Sequence, residues 1–372
     1  MKRPSPAGPR GAPLVRALRA FAAAWNEFFH APQPVEGIAL FRILSGTLLL
    51  LNWAFLAPDA LDWFGERGVL SSATALILTG PGRLDVLRAL PGGDGWMLIV
   101  FGAVGLASAT LAVGFMTRTS AAVVFVGLVS LHHRNTVVLS SGDTILRVLT
   151  FLLMFAPAGD AWSVDRWRAR RRGVAPPEPL PKAPWAQRLI QIQVAVLYLS
   201  TAWWKLLGPA WRDGTAVYYM SRLVEFERFP VPVLFDDLRL IRLVTWTSLA
   251  TELALGTLVW VPGLRYPVLL AGACLHLSIE FSMNIPVFQW LMLAALTTFI
   301  PPADVAAVAR RVRARLTGGP RPEVPAVPAG PTRSEGALPG PARPEGGPPG
   351  VTRSEDDSHR HESRRARRRG RR

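Results

Sequence analysis

The sequence predicts an all-α, polytopic integral membrane protein. About eight transmembrane helices would form one bundle, with an N-terminal interfacial helix before it and a disordered C-terminal tail after it. Three observations predict this. Half of the 372 residues are hydrophobic. The mean hydropathy is positive, too apolar for an ordinary soluble domain of this size. The apolar residues also come in blocks, and the basic residues sit between alternate blocks.

The first segment, residues 1–36, carries Lys2, Arg3, Arg10, Arg16 and Arg19. Its apolar run is interrupted by Asn26, Glu27 and His30, and no small-residue cleavage site follows. That pattern predicts an amphipathic helix over residues 13–30 lying on the membrane, not a secretory signal peptide.

The membrane domain is expected over residues 37–301. Its apolar runs cover roughly residues 37–56, 96–116, 120–139, 144–157, 188–207, 241–261, 266–281 and 285–300. A helix needs about 20 apolar residues to cross the hydrocarbon core. The fourth and seventh runs are short, which predicts tilted, kinked or partly re-entrant passages. No second soluble domain is expected.

The formal net charge is +16. From Pro302 onward there are 16 Arg against 8 Asp and Glu, so half of the excess lies in the last segment. A second cluster, DRWRARRRG, begins at Asp165, and Arg118 and Arg265 follow the second and sixth runs. These are alternate connections, and Lys and Arg mark the cytoplasmic side. The reading is a multi-pass protein of the cell membrane with both termini cytoplasmic. The near-neutral segments 57–95 and 208–240 would then face outward.

Residues 302–372 are expected to be a disordered cytoplasmic tail. The stretches PTRSEGALPG, PARPEGGPPG and VTRSEDD repeat Arg333, Arg343 and Arg353 in step with Glu335, Glu345 and Glu355. Units so poor in apolar residues cannot bury enough area to offset chain entropy. The expected partners are membrane lipids, with anionic head groups meeting the basic tail. Nucleic acid is not expected, because no aromatic residue follows Ile300.

Polar groups within the runs are the candidate site residues. An ionisable group at mid-span costs about 2.5–3.5 kcal/mol, so it usually faces a partner in the bundle. Arg42, Asn52, Arg147, Glu252, His276, Glu280 and Asn284 stand out. Arg42 lies near an end of its run, where its guanidinium can snorkel. Asp143 and Arg147 are four apart and share a helix face, as a structural ion pair or as part of a site. His276 and Glu280 are likewise four apart. No metal site is expected: Cys274 is the only cysteine, H-E-x-x-H is absent, and the adjacent His132 and His133 would diverge on a helix. No phosphate-binding Gly-rich loop or GxSxG is present either.

Lys205 ends the fifth run in VLYLSTAWWKLLGPAWRDG, directly after Trp203 and Trp204 and six residues before Trp211. One reading makes it an anchor: tryptophans favour the membrane interface and lysine extends to water. The other turns it inward, where desolvation favours the neutral amine and lets it act as a base. Residue chemistry leaves both open.

Several stretches resemble the HTTM (horizontally transferred transmembrane) domain, the membrane half of vitamin K-dependent gamma-carboxylases and of bacterial relatives. They are LFRILSGTLLLLNW, WFGERGVLS, NTVVLSSGDTILRVLTFLLMFAPAGDAWSVD, QIQVAVLYLSTAWWKLLGPAWRDGTAVYYMSR, TELALGTLVWVPG and HLSIEFSMNIPVFQWLMLAA, in order from Phe41 to Ala295. The match is carried by Asn135, Gly142-Asp143, Arg147, Trp162-Ser-Val-Asp165, Lys205, Trp211-x-x-Gly214-Thr215 and His276.

The resemblance implies that Lys205 is the base, since Lys205-Leu206 matches the lysine that activates vitamin K hydroquinone in the carboxylases. Asn135, Asp143, Arg147, Trp211, Glu252, His276 and Glu280 would line the pocket. Vitamin K hydroquinone or another quinol is the cofactor or substrate it implies. Two departures stand beside the match. Gly142 falls where the carboxylases carry a catalytic histidine, and the basic tail stands in place of their large extracytoplasmic domain.

Three function classes follow. One is a membrane enzyme with its pocket near the outer leaflet. Another is a non-catalytic lipid- or partner-binding protein, for example beside a small secreted peptide in its maturation or export. The third, a transporter, would require an internal inverted repeat, and Pro286 is a single interruption. Substrate and oligomeric state are not legible.

Overall fold

Each of the eight apolar runs becomes a helix in the computed structural model, which describes residues 13–80, 82–83, 85–228 and 236–317. The first run is α2 (Glu36–Leu56), following α1 (Pro13–His30). Three short helices, α3 (Ala60–Phe64), α4 (Ser72–Thr79) and α5 (Val86–Ala89), fill the connection to α6 (Asp94–Val113). Then come α7 (Thr117–Arg134), α8 (Ser141–Phe155), the basic α9 (Val164–Arg171) and the long α10 (Trp185–Leu207). The short α11 (Pro209–Arg212) and α12 (Ala216–Met220) precede α13 (Leu238–Gly256), α14 (Arg265–Ser282), α15 (Phe288–Leu296) and α16 (Pro302–Thr317). Among the described residues the only β pairings are two isolated bridges, Gln33 with Lys182 and Glu227 with Met283.

The eight helices close on themselves. α2 packs on α6, α6 on α7, α7 on α8, α8 on α10, α10 on α13, α13 on α14, α14 on α15, and α15 returns to α2. α15 also reaches α10 and α8. Backbones approach closely where small residues allow it: a Cβ added at Gly46 of α2 would lie 2.7 Å from the backbone of Ala112 in α6. Such close approach is how apolar helices gain dispersion contact where lipid removes the hydrophobic driving force.

Turn residues fix the ends. α8 begins with a capping box: the Ser140 hydroxyl accepts from the Asp143 amide at 3.3 Å, and Asp143 accepts from the Ser140 amide at 2.8 Å. α6 ends at Gly114, in the left-handed conformation at φ 73°. A Cβ there would sit 1.7 Å from Nη1 of Arg42. Arg42 is thus fully buried and donates to the Trp162 carbonyl at 2.6 Å. It does not snorkel, because the turn between α8 and α9 folds over it. The same turn is pinned by Asp165, whose carboxylate accepts from the amides of Met116 and Thr117 at 2.8 and 2.9 Å. The Trp162-Ser-Val-Asp165 stretch is therefore a clasp between two helical hairpins.

Two expectations are narrowed. Of the eight runs, α2 and α6 are long and apolar enough to cross a membrane by length and composition; α15 with α16 would make a third, bent by 101°. The others are shortened or carry charge: α8 has 15 residues, α15 has 9, and α13 holds Arg239, Arg242 and Glu252. Second, residues 302–317 of the expected disordered tail form α16. Pro302 suits a first helical turn, and the alanine- and arginine-rich stretch after it lacks glycine. Averaging over the whole tail concealed that local propensity. The expected basic segment 1–12 and the tail from 318 lie outside the described residues.

α1 matches the expected span of 13–30. Leu14, Leu18, Phe21 and Trp25 recur on one face and are exposed, while Phe29 is buried. The helix is tied to the bundle by Arg188 of α10, whose guanidinium lies 4.5 Å from the centre of the Phe28 ring and donates to the Phe28 carbonyl at 3.2 Å.

Candidate functional site

Lys205 turns toward α13, not into solvent. Its position follows from the spacing on α10: Tyr198, Thr201 and Lys205 stand at i, i+3 and i+7, one face of a helix. That face meets Glu252 of α13. Lys205 Nζ donates to Glu252 Oε1, and the Thr201 hydroxyl, which donates to the Tyr198 carbonyl at 3.0 Å, lies 3.4 Å from Glu252 Oε2. The Lys205 side chain is 26% exposed and that of Glu252 10%. The pair is therefore partly withdrawn from water, where charge attraction is stronger and loss of either partner more costly.

The segment after α10 completes the surroundings. α10 stops at Gly208, and Pro209 opens α11. This turn brings the Trp211 ring to 4.5 Å from Lys205 Nζ, a cation–π contact. Asp213 accepts from the hydroxyl and amide of Thr215 at 2.6 and 2.9 Å, and these bonds, hydroxyl first, hold its carboxyl below the usual range. Gly214, at φ 82°, lies against α13, where a Cβ would meet Arg242 Cγ at 2.8 Å. The Trp211-x-x-Gly214-Thr215 pattern thus sets the aromatic cover over Lys205.

Two turns before Lys205 on the same face, the Tyr198 hydroxyl is 2.7 Å from Nε2 of His276 on α14. Nδ1 of His276 lies 2.6 Å from Oε1 of Gln289 on α15. Gln289 offers an acceptor there, so Nδ1 carries the proton and Nε2 accepts from Tyr198. All three side chains are buried. α10, α13, α14 and α15 therefore contribute one polar strip through the bundle: Lys205, Glu252, Thr201, Tyr198, His276 and Gln289.

The remaining expected site residues lie elsewhere. Asp143 caps α8 and stands 3.7 Å from Nε2 of His132 on α7, which takes its carboxylate away from Arg147. Arg147 reaches Thr144 at 3.5 Å. Asn135 is fully buried and closes a loop, donating to the Trp63 carbonyl at 2.6 Å and accepting from the Val137 amide at 2.9 Å. Glu280 accepts from Arg228 at 3.0 Å, so it leaves His276 despite their spacing. Gly142 faces Phe288 of α15: an added Cβ would be 3.3 Å from Phe288 Cδ2 and from Ser140 Oγ. Sequence reasoning missed Tyr198, Thr201 and Gln289. The first two were signalled by helical spacing from Lys205; Gln289 was a lone amide in an apolar run.

The HTTM domain family matches residues 30–303. The chain belongs to the HTTM domain family. The HTTM domain is a membrane domain, and α2 and α6 fit that by length and composition. Among curated proteins, this HTTM chain is similar to an uncharacterized protein, YitO, of Bacillus subtilis (strain 168), with 26% identity over 179 residues. That stretch covers 46% of this chain and 56% of the relative, so the chain spans about half the length of the curated relative it matches. No solved structure matches it.

Proposed function

We propose that this HTTM protein is a multi-pass protein of the cell membrane with eight crossings and both termini cytoplasmic. In this reading it handles protons on a quinol or lipid-like substrate at the Lys205–Glu252 pair, near the outer leaflet. One observation carries the reading: a lysine at the end of an apolar helix is drawn to a carboxylate of the neighbouring helix under a tryptophan ring.

Passing one proton from the Lys205 ammonium to the Glu252 carboxylate converts an ion pair into a neutral amine and a neutral acid. The neutral amine then takes the proton of a substrate hydroxyl. The O–H bond breaks, an N–H bond forms, and the substrate oxyanion is left beside the new ammonium. Tyr198 and His276 hold α10 to α14 behind the pair and position it.

A second reading has its own observation. The place of the carboxylases' histidine is Gly142, and Phe288 and Ser140 fill the space beside it. That favours a non-catalytic protein that binds lipid or a partner, a small secreted peptide being one candidate. Mass spectrometry of quinones and lipids co-purifying with the wild type, Lys205→Ala and Lys205→Arg separates the two. The base reading expects a bound quinol-type species to be lost or altered in both variants. An identical profile in all three rules the base reading out.

A further inference from the structure

A cleft lies at the far end of α10 from Lys205. It has a volume of about 690 Å³, within the range of small-molecule sites. It opens between α9 and α16, beside the start of α2 and the loop at residues 177–179. Gly37 of α2 faces Gln187 of α10 and Pro302 at the start of α16. The cleft is thus at the end of the bundle where α10 begins, about 27 Å of helix rise from Lys205.

Its chemistry is specific. Arg166 and Arg170 project from α9, one turn apart, and Arg310 and Arg313 line it from α16. Arg166 also donates to the Pro176 carbonyl at 2.8 Å, which holds the far wall in place. Two carboxylates, Glu36 and Glu178, line the same space, so the arginines are in excess by two. Glu36 Oε2 is buried and has no hydrogen-bond partner. A buried acceptor left unpaired is costly, and Glu36 shares the lining of the cleft with the four arginines. Trp162 and Trp167 form an aromatic border.

We propose that this cleft binds a phosphate ester that also carries a hydrogen-bond donor, with the guanidiniums on the phosphoryl oxygens and Glu36 on the donor. Guanidinium forks match phosphate bidentately, and the Glu36 carboxylate in the same lining selects an ammonium or hydroxyl next to it. Phosphoethanolamine or glycerophosphate fits, either as a lipid head group or as a soluble ester. The site does not depend on any role of Lys205.

The test uses the full-length protein in phosphatidylcholine nanodiscs doped with phosphatidylethanolamine or phosphatidylglycerol. Native mass spectrometry measures retained phospholipid, and thermal unfolding measures added phosphoethanolamine, glycerol 3-phosphate and inorganic phosphate. The variant Arg166→Gln/Arg170→Gln/Arg310→Gln is compared with Arg171→Gln/Arg311→Gln/Arg315→Gln, which removes equal charge outside the cleft. We expect a loss of about tenfold or more in the first and none in the second, one charge-assisted hydrogen bond being worth at least that. Retention of lipid without a response to soluble esters assigns a head group; a thermal shift by the soluble esters assigns those. Arg166→Lys/Arg170→Lys/Arg310→Lys keeps charge and solubility but loses the fork, and is expected to fall between. Glu36→Gln should weaken phosphoethanolamine and leave inorganic phosphate unchanged. Equal loss in the two glutamine triples, or equal retention in all proteins, overturns the proposal.

Discussion

The Tyr198 hydroxyl and Nε2 of His276 stand 2.7 Å apart across the contact of α10 with α14. With Nδ1 engaged by Gln289 at 2.6 Å, both nitrogens of the imidazole are occupied. His276 is thus a buried cross-brace between three helices, and substrate or metal would have to displace a partner to reach it.

Replacing Tyr198 by Phe removes that donor and leaves a buried acceptor. The expected cost is about 1–2 kcal/mol of stability. His276→Leu strands two partners, the Tyr198 hydroxyl and the Gln289 amide, and should cost more. Thermal unfolding in micelles orders the two variants, and a smaller loss for His276→Leu contradicts the brace.

Glu252→Gln leaves the Lys205 ammonium without its carboxylate. A loss of about 1–3 kcal/mol is expected, as for a partly buried charge deprived of its partner. Lys205→Met in the same protein should return much of it, because an apolar pair can replace a buried ion pair at little net cost. A double-mutant cycle measures the coupling; strictly additive losses mean that the two side chains do not interact.

At Gly46 the obstacle to a side chain is the Ala112 backbone, which no rotamer change can move. Gly46→Ala should therefore destabilise the α2–α6 contact by about 1–3 kcal/mol despite alanine's better helix propensity. Gly46→Leu should prevent recovery of folded protein. Folded yield by size exclusion and unfolding temperature report both.

Restoring a histidine at Gly142 meets Phe288, not an empty site. Gly142→His is expected to lose about 1–3 kcal/mol through overpacking. Phe288→Ala in the same chain opens the space and should recover part of that loss. Failure of Phe288→Ala to relieve Gly142→His would show that Phe288 is not the obstacle.

The helices were legible because apolar runs of this length have few other solutions, and the 13–30 helix because its apolar face repeats at 3.6 residues. Lys205, Glu252 and Trp211 were legible as candidates, since charge in an apolar run demands a partner. Their pairing was not. Glu252 had three cations or near-cations in reach by sequence, and the choice depends on the register of α13 against α10. Asp143 with Arg147, and His276 with Glu280, show the limit of spacing arguments. Each pair shares a helix face, yet three of the four members meet groups on another element: His132 for Asp143, Arg228 for Glu280, Tyr198 and Gln289 for His276; Arg147 reaches only as far as Thr144 on its own helix. Whether Arg42 snorkels or is buried could not be read from sequence, because the turn that covers it, at Trp162, is 120 residues away.

The contact of α15 with α2 joins the first and last apolar helices of the HTTM domain. A nascent polypeptide therefore presents an unsealed seam on Glu36–Leu56 until Phe288–Leu296 leaves the ribosome. A stop codon or frameshift anywhere upstream of α15 therefore leaves α2 without this neighbour and the ring of helices open at that face.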